Sequence, residues 1–174
     1  MMILNIITAP EPILRQKSLE IEKVDDSIKN LMDNMVNAMY HDDGVGLAAV
    51  QVGKLHRVIV VDLQSLDDND DLDVQYPIKI ANPTIMESSD EMILAQEGCL
   101  SLPEQCVEVS RAESIKLSYL DYNNNQCQLE AKGWLARVLQ HEIDHLDGKL
   151  LIDYLSTIKK DVALRKLKRM KKSI

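Results

Sequence analysis

The sequence predicts an α+β fold in which short, mostly antiparallel strands pack around a central helix and are followed by a C-terminal helix. Two observations favour this class. Apolar residues recur at helical spacing in three stretches of the chain, and runs typical of short strands lie between them. These stretches do not alternate in the regular order of βαβ proteins, which argues against a parallel sheet. Because the 174 residues contain no repeat or linker, we expect one domain over residues 1–174.

The first helix and the first strands are marked by their flanking residues. Asp25 or Asp26 can cap a helix whose apolar residues repeat at helical spacing, and this helix is expected to end near residues 41–44. Strands are predicted at residues 47–52 and 57–63. Residues 67–73 contain five aspartates in seven positions, so we expect a solvated loop there.

The second half of the chain is predicted to hold further strands and the central helix. The strands are expected at residues 78–80, 84–86 and 114–120. Asn82 and Pro83 separate the first two of these, and residues 121–125 are predicted to form a turn. Gly133 begins the central helix, and the apolar spacing places Trp134 among its inward-facing residues.

Composition and cysteine spacing narrow the class of protein. The chain is 45% hydrophobic and 28% charged, which is typical of soluble globular proteins, and no stretch approaches the roughly 20 apolar residues that span a membrane. Its apolar start has no basic residue before Arg15, which is unlike a signal peptide. The chain has three cysteines, Cys99, Cys106 and Cys127. Their odd number argues against a disulfide framework, and they lack the spacing of zinc-finger ligands. We therefore expect a cytoplasmic protein with no membrane partner.

The central helix carries the sequence HEIDH at residues 141–145. His141 and His145 are four positions apart, so they lie on one helical face and can bind one metal ion from the same side. Glu142 is placed to handle the proton of a water molecule at that metal. The pattern HExxH is typical of metal-dependent hydrolases.

The third metal ligand does not come from the familiar extensions of this motif. Leu151 stands where the metzincin pattern HExxHxxGxxH requires its last histidine, and no glutamate follows His145 to serve as in thermolysin-like enzymes. The best upstream candidate is Cys99 in the segment EGCLS, although Asp147 and Asp153 are alternatives. A cysteine and two histidines would leave one coordination position open.

A closed structural metal site is a competing interpretation. Cys106 or Cys127 would then supply a fourth protein ligand beside Cys99 and the two histidines. Structural zinc sites usually take their ligands in close pairs along the sequence, and this chain does not offer such pairs. An open, hydrolytic site is therefore the favoured interpretation.

Three segments together resemble the signatures of the peptide deformylase family. They are GVGLAAVQ at residues 44–51, EGCLS at residues 97–101 and QHEIDHLDG at residues 140–148, in the order and spacing of the family. The resemblance extends from about Ile3 to the C-terminal helix. It implies an enzyme that removes the formyl group from the N-terminal formylmethionine of newly synthesised proteins and releases formate. It also implies one divalent metal ion held by Cys99, His141 and His145, with Fe²⁺ expected in the cell and Zn²⁺, Ni²⁺ or Co²⁺ also accepted.

The resemblance implies roles for the other motif residues. Glu142 would carry the proton from water to the leaving amine, while the Gln51 side-chain amide and the Leu100 backbone N–H would donate to the oxyanion. The peptide would pair with the backbone around Val45 and Gly46, and Leu100 would also help to line an apolar methionine pocket. The residues expected to contact substrate are Val45, Gly46, Glu97, Trp134 and Val138. Trp134 stands where the family commonly has leucine, so the shape of this pocket is expected to differ.

The C-terminal helix, expected over about residues 157–171, is strongly basic. Residues 159–172 carry eight basic side chains against Asp161, a net charge of +7, so the formal charge of −8 for the whole chain leaves −15 on the rest. Such a division favours contact between the tail and an anion. The resemblance implies docking on ribosomal RNA, whose phosphates favour Lys and Arg. The alternative is a solvated helix face with no partner.

Two other classes of function remain open at this point. A general metallopeptidase would use the same HExxH chemistry and would cleave unformylated peptides. A non-catalytic ribosome-binding module would be expected to lack a metal ligand, Glu142 or Gln51, yet all of these residues are present.

Overall fold

The computed structural model describes residues 4–63 and 74–172, in which helices and strands mix as an α+β fold. The helices are α1 (Asp26–His41), α2 (Gly133–Leu146) and α3 (Thr157–Lys172). The strands are β1 (Gly46–Ala48), β2 (Val58–Val61), β3 (Ile78–Ser88), β4 (Met92–Gly98), β5 (Cys106–Ala112), β6 (Ser114–Leu120) and β7 (Gln126–Lys132). Short 3₁₀ helices cover Pro12–Arg15, Ala49–Val52 and Leu151–Tyr154. The predicted fold class, with a central helix and a C-terminal helix, is confirmed.

The strands form two separate antiparallel sheets. The larger sheet has the order β1-β2-β3-β6-β7, and the smaller one consists of β4 and β5 alone. Consecutive strands such as β4 and β5 or β6 and β7 pair directly, as short connections between antiparallel strands allow. The helix α2 contacts strands of both sheets, which makes it the element that joins them.

Each helix buries one apolar face. The face of α2 that contains Leu135, Leu139 and Leu146 packs into the main core with the large sheet. In α1 the buried face is rich in methionine, and in α3 Ala163 and Leu167 pack beside the smaller sheet. Burying a side chain such as Leu139 completely stabilises the fold by about 1.5–3 kcal/mol, so these faces determine how the helices are oriented.

The ends of α1 and α2 follow from the residues that flank them. The side chain of Asp25 accepts hydrogen bonds from the backbone N–H groups of Ser27 and Ile28, both at 3.0 Å, which confirms the predicted cap. Gly133 begins α2 as predicted, with a φ of 57°. The chain leaves α2 through Gly148, whose φ of 74° lies in the left-handed region that favours glycine.

The prediction of a strand at residues 47–52 is wrong for the second half of that range. The extended chain stops at Ala48, and Ala49–Val52 form a 3₁₀ helix that ends at Gly53. The physical reason is local, because the side-chain oxygen of Gln51 accepts a hydrogen bond from the Ala48 backbone N–H at 2.8 Å and thereby stabilises the turn. The strand expected at residues 57–63 is confirmed as β2, although it is shorter.

Other differences from the prediction concern strands and one side chain. The two strands expected around Asn82 and Pro83 form the single strand β3, which accommodates both residues in an irregularity of its pairing with β6. Strands β4, β5 and β7 were not predicted, since most of their side chains are exposed or half-buried and give a weak apolar pattern. Trp134 was expected to face inward, but 49% of its surface is exposed.

The turn at residues 121–125 is confirmed, with the Asp121 N–H donating to the Asn125 carbonyl at 2.9 Å. The acidic stretch at residues 67–73 lies outside the described part of the chain. Within residues 4–63 and 74–172, no helix has both the length and the apolar content needed to cross a membrane.

Gly148 provides a test of this description of the fold. A Cβ atom at this position would lie 2.5 Å from the Arg15 carbonyl oxygen, in addition to the left-handed φ. We expect Gly148→Ala to lower the free energy of unfolding by at least about 2 kcal/mol. Gly98→Ala is the matched control, because a Cβ there would meet no atom within 4 Å. Urea unfolding of both variants measures the difference, and equal midpoints would contradict the prediction.

Candidate metal centre and its cavity

Cys99, His141 and His145 come together from two parts of the fold. Cys99 follows the last residue of β4, and the two histidines lie one turn apart on α2. One ligand atom from each residue lies within 4.8 Å of the other two, and the Cys99 Sγ is 3.2 Å from the His145 Nε2. A thiolate and two imidazoles at this spacing suit a divalent transition metal.

The other candidate ligands are engaged elsewhere or lie apart from this group. Among the described residues, the metal-capable cluster contains Cys99 and the two histidines alone. Asp147 pairs with Arg57 at 2.8 Å, and Asp153 pairs with Lys160 at 2.6 Å. Cys127 lies on β7, paired with Tyr119 of β6 in the larger sheet, so the fully protein-ligated alternative gains no support.

His141 is oriented by a buried carboxylate. Its Nδ1 lies 3.0 Å from the Oε2 of Glu97, which leaves Nε2 to face the metal position. The Oε1 of Glu97 accepts hydrogen bonds from the Nε of Arg111 and the Nη1 of Arg137, both at 2.6 Å. Burial raises the pKa of Glu97, but the hydrogen bonds from His141 and Arg111 outweigh it and lower the pKa to about 2. Glu97 is therefore ionised at neutral pH.

The two histidines differ in their protonation because Cys99 and Glu97 favour the charged form of His141, whereas burial dominates at His145. Burial lowers the pKa of His145 well below its ordinary value, so its ring is neutral. Burial also lowers the pKa of His141, but hydrogen bonds to Cys99 and Glu97 outweigh this effect and raise the pKa to about 10. Since imidazole binds a metal in its neutral form, metal binding at His141 would release a proton.

Glu142 is buried beside the candidate metal ligands and has an unsatisfied oxygen. Its Oε2 has no hydrogen-bond partner within the described residues. Burial raises the pKa of this carboxyl to about 7, with the charge on His141 acting in the opposite direction. Gly46 makes room for it, because a Cβ there would lie 2.4 Å from the Glu142 Oε1. A carboxyl with a pKa near 7 can both accept and return a proton.

Gln51 is held so that its amide nitrogen points toward the metal position. With its oxygen bound to the Ala48 N–H, its Nε2 lies 3.0 Å from the Ser101 Oγ and 3.7 Å from the Cys99 Sγ. The Ser101 hydroxyl donates in turn to the Ile7 carbonyl at 2.7 Å. The amide is thus oriented before any substrate arrives.

These side chains open onto a cavity of about 540 Å³. The residues expected to bind substrate all line it, together with two of the candidate metal ligands and both side chains expected to take part in catalysis. They are Val45, Gly46, Gln51, Glu97, Cys99, Leu100, Trp134, Val138, His141 and Glu142. Cys106 also lines the cavity, whereas His145 is fully buried. The carboxylate of Glu97, which the sequence placed among the substrate contacts, is engaged by Arg111, Arg137 and His141.

Sequence reasoning missed three side chains that support the site. Arg111 and Arg137 are both buried, and Ser101 is completely buried. A signal for Arg137 was present, because it lies four residues before His141 and therefore on the same face of the helix, among buried apolar residues. A buried arginine at such a position requires an acidic partner. No comparable signal marked Ser101.

The chain is similar throughout its length to proteins of known family. The family model described as polypeptide deformylase matches residues 3–161. A peptide deformylase of Rickettsia canadensis is 54% identical over 174 residues, covering 100% of this chain and 99% of that protein. One of Orientia tsutsugamushi (strain Ikeda) is 50% identical, covering 98% and 97%.

Solved structures agree with these sequence relatives. The crystal structure of peptide deformylase from Ehrlichia chaffeensis superposes with a TM-score of 0.93 at 42% identity, covering 99% of this chain and 98% of that one. A second structure of the Ehrlichia chaffeensis protein, in complex with actinonin, has a TM-score of 0.92 at 44% identity, with 98% of both chains covered.

Metal binding is expected to protect one cysteine of the cavity and not the other. With one equivalent of Zn²⁺, the alkylation rate of Cys99 should fall at least about tenfold, because coordination removes the nucleophilic thiolate. Cys106 lines the same cavity and is the internal control, so its rate should change less than about twofold. Mass spectrometry of alkylated peptides gives both rates, and equal protection of the two thiols would contradict the proposed ligand set.

Glu142 should make the stability of the metal-free protein depend on pH. Its pKa rises from 4.5 in the unfolded chain to about 7, so between these values the folded state binds the extra proton and stability falls as pH rises. The loss amounts to at most about 3 kcal/mol at 1.36 kcal/mol per pH unit. Glu142→Gln should therefore gain stability relative to wild type between pH 5 and pH 8.

Glu130→Gln, at an exposed carboxyl on β7, should show no such gain. Urea unfolding in the presence of a chelator at both pH values tests this comparison. If wild type and Glu142→Gln differ in free energy of unfolding by the same amount at pH 5 and at pH 8, burial does not shift the pKa of Glu142.

Proposed function

The chain belongs to the polypeptide deformylase family and is an enzyme that removes the formyl group from the N-terminal methionine of newly made proteins, and we propose that Cys99, His141 and His145 hold its metal ion. The observation that carries this assignment is the convergence of their three ligand atoms within 4.8 Å, next to the unsatisfied oxygen of Glu142. The donor set fits the metal dependence of the family, with one side left open to the cavity.

We propose Fe²⁺ as the native metal, as the family resemblance implies. One thiolate and two imidazoles also accept Zn²⁺, Ni²⁺ and Co²⁺, so the donor set is compatible with all four ions. Because the deformylase substrate is the N-terminus of a nascent chain, the site of action that we propose is the cytoplasm.

The substrate lies in the cavity with its formyl group toward the metal ligands. The backbone around Val45 and Gly46 pairs with the peptide, and Gly46 is suited to this because it has no side chain between the peptide and Glu142. The methionine side chain occupies the apolar pocket formed by Val45, Leu100, Trp134 and Val138. All four of these residues line the same cavity, which supports the placement.

Glu142 moves the proton during the reaction. When bound, the metal supplies Lewis acidity that makes water more acidic and polarises the formyl carbonyl. Glu142 accepts a proton from the attacking water and delivers it to the amine nitrogen as the carbon–nitrogen bond breaks, which yields formate and a free N-terminus. Its pKa of about 7 suits both steps.

Gln51 and Leu100 stabilise the negative charge that develops on the formyl oxygen. The Gln51 Nε2 already points into the site, and the backbone N–H of Leu100 belongs to the residue that follows the metal ligand Cys99. A single donor of this kind contributes about 10²- to 10³-fold in rate. Glu97 acts indirectly, because it orients His141 through the Nδ1 of that ring. Both of its oxygens already accept hydrogen bonds, so neither is free to contact the substrate.

The two rival classes are not favoured. A general metallopeptidase would fit the HExxH helix taken alone. A non-catalytic ribosome-binding module would fit the basic tail taken alone. The family match over residues 3–161 and the complete set of ligands and donors support the deformylase instead.

We further propose that α3 docks on ribosomal RNA. Its inner side packs through Ala163 and Leu167, while Lys159, Arg165 and Lys168 are exposed on its outer surface. The net charge of +7 on residues 159–172 opposes the negative charge of the remaining chain, so the helix is the part suited to phosphate contacts.

Loss of the carboxylate at Glu142 should separate metal binding from turnover. We expect Glu142→Gln to keep its metal and fold but to release formate from formyl-Met-Ala-Ser about 10²- to 10⁴-fold more slowly, because proton transfer is lost. Glu130→Gln should retain full activity. Formate production and metal content are measured on the same samples, and wild-type turnover by Glu142→Gln would refute the assigned proton carrier.

Charge reversal on α3 should weaken ribosome binding without affecting the fold. The triple variant with Lys159, Arg165 and Lys168 replaced by Glu should bind ribosomes at least about tenfold more weakly, with a smaller salt dependence. A matched variant with exposed Lys17, Lys23 and Lys54 replaced by Glu changes net charge equally and should bind as wild type. Sedimentation at two salt concentrations compares them, and equal affinities for the two variants would contradict docking through α3. Substitution is preferable to deletion because Leu167 is part of the core.

A further inference from the structure

The metal ligands lie on two elements that share little apolar packing. Cys99 follows β4, and none of the apolar side chains of β4 is fully buried. Met92, Ile93 and Leu94 are 53%, 39% and 59% exposed. The histidines are on α2, which packs mainly against the large sheet. β4 itself therefore contributes little apolar packing against α2, and its position relative to the helix depends on its pairing with β5 and on polar contacts.

Arg137 connects these two elements through polar contacts. It lies on α2 with 7% of its side chain exposed. Its Nη1 donates to the Glu97 Oε1 on β4 at 2.6 Å and to the Val109 carbonyl on β5 at 2.9 Å, and its Nη2 donates to the Ile93 carbonyl on β4. A single guanidinium thus binds both strands of the smaller sheet, through a planar fork of donors that the compact ammonium of a lysine does not reproduce.

The same guanidinium supports one wall of the substrate cavity. The Cζ of Arg137 lies 6.0 Å from the centre of the Trp134 ring, one turn earlier on α2. The indole is 49% exposed and lines the cavity. A half-exposed aromatic ring has few packing partners, and a buried cation over its face contributes to its orientation.

We infer that Arg137 is a positioning residue for the reaction, with two effects. It fixes the strand that leads to Cys99 relative to the helix that carries His141, and it orients Trp134 as the wall of the methionine pocket. This inference rests on the proposed function of the cavity. It adds that metal geometry and the fit of the first substrate side chain both depend on one arginine, which lines the cavity and acts through Glu97 and Trp134.

Two variants of Arg137 separate its contacts. Arg137→Met removes the charge and all three of these hydrogen bonds, while Arg137→Lys keeps the charge beside Glu97 but loses the planar fork. Arg57→Met is the control, because Arg57 is also a partly buried arginine that binds a carboxylate, Asp147, and a backbone carbonyl, but it lies outside the cavity. Arg57→Met should lower the stability of the fold and leave the metal site and the cavity unchanged.

The first measurements need no substrate. Co²⁺ titration of the metal-free protein reports affinity and ligand geometry through its visible absorption. Trp134 is the only tryptophan in the chain, so the intrinsic emission of the protein reports the cavity wall directly. Loss of a residue that orients a metal ligand typically weakens metal binding about 10- to 100-fold. Arg137→Met should show this loss with an altered Co²⁺ spectrum and shifted emission.

Kinetics then separate the two effects. The Co²⁺ affinity of Arg137→Lys should lie within about tenfold of the wild-type affinity. Its tryptophan emission should be shifted, and its KM for formyl-Met-Ala-Ser should be raised by a larger factor than its kcat is lowered. Wild-type Co²⁺ affinity and spectrum in Arg137→Met, with stability lowered as in Arg57→Met, would overturn the inference. If Arg137→Met does not fold, unchanged emission and KM in Arg137→Lys would overturn it. Absence of deformylation in wild-type protein that binds Co²⁺ normally would instead contradict the proposed function.

Discussion

The ion cluster around Glu97 is the interaction on which the rest of the site depends. A carboxylate that is 6% exposed is stable only if strong partners replace the water it has lost, and here two arginines and a histidine do so. Breaking such a cluster by removing one partner typically costs about 3–5 kcal/mol. The smaller sheet meets α2 at this cluster, because Glu97 and Arg111 belong to β4 and β5 whereas Arg137 and His141 belong to α2. The geometry of the proposed metal site therefore depends on how the smaller sheet is attached to α2.

Glu142, the neighbour of His141 in sequence, has an electrostatic environment opposite to that of Glu97. Glu97 has charged donors on both oxygens and a pKa of about 2, while Glu142 is equally buried, has an unsatisfied oxygen and a pKa of about 7. One carboxylate is permanently ionised and holds a ligand in place, and the other can exchange a proton near neutral pH. This division of tasks between two acids within one cavity follows from their different partners. The close approach of Gly46 shows that the space for Glu142 is provided by the backbone.

Local patterns in the sequence were sufficient for the helices and for the two histidines proposed to bind the metal. Asp25, Gly133 and the spacing of His141 and His145 are signals contained within a few positions, so they could be interpreted without the fold. The support for the site depends on contacts between distant segments, such as Glu97 with Arg137 or Ser101 with Ile7. Such pairs leave little trace in a single sequence. The smaller sheet was missed for a related reason, because its exposed strands carry a weak apolar alternation even though they hold Glu97 and lead to Cys99.

The central claim is that this cavity hydrolyses formylmethionyl peptides with a metal held by Cys99, His141 and His145. It is tested most directly by formate release from formyl-Met-Ala-Ser by anaerobically purified protein, with the metal determined on the same sample and unformylated Met-Ala-Ser as the control substrate. The account predicts rapid formate production, about one metal ion per chain and no cleavage of the control peptide. A sample fully loaded with metal that releases no formate, or that cleaves the unformylated peptide, would contradict it.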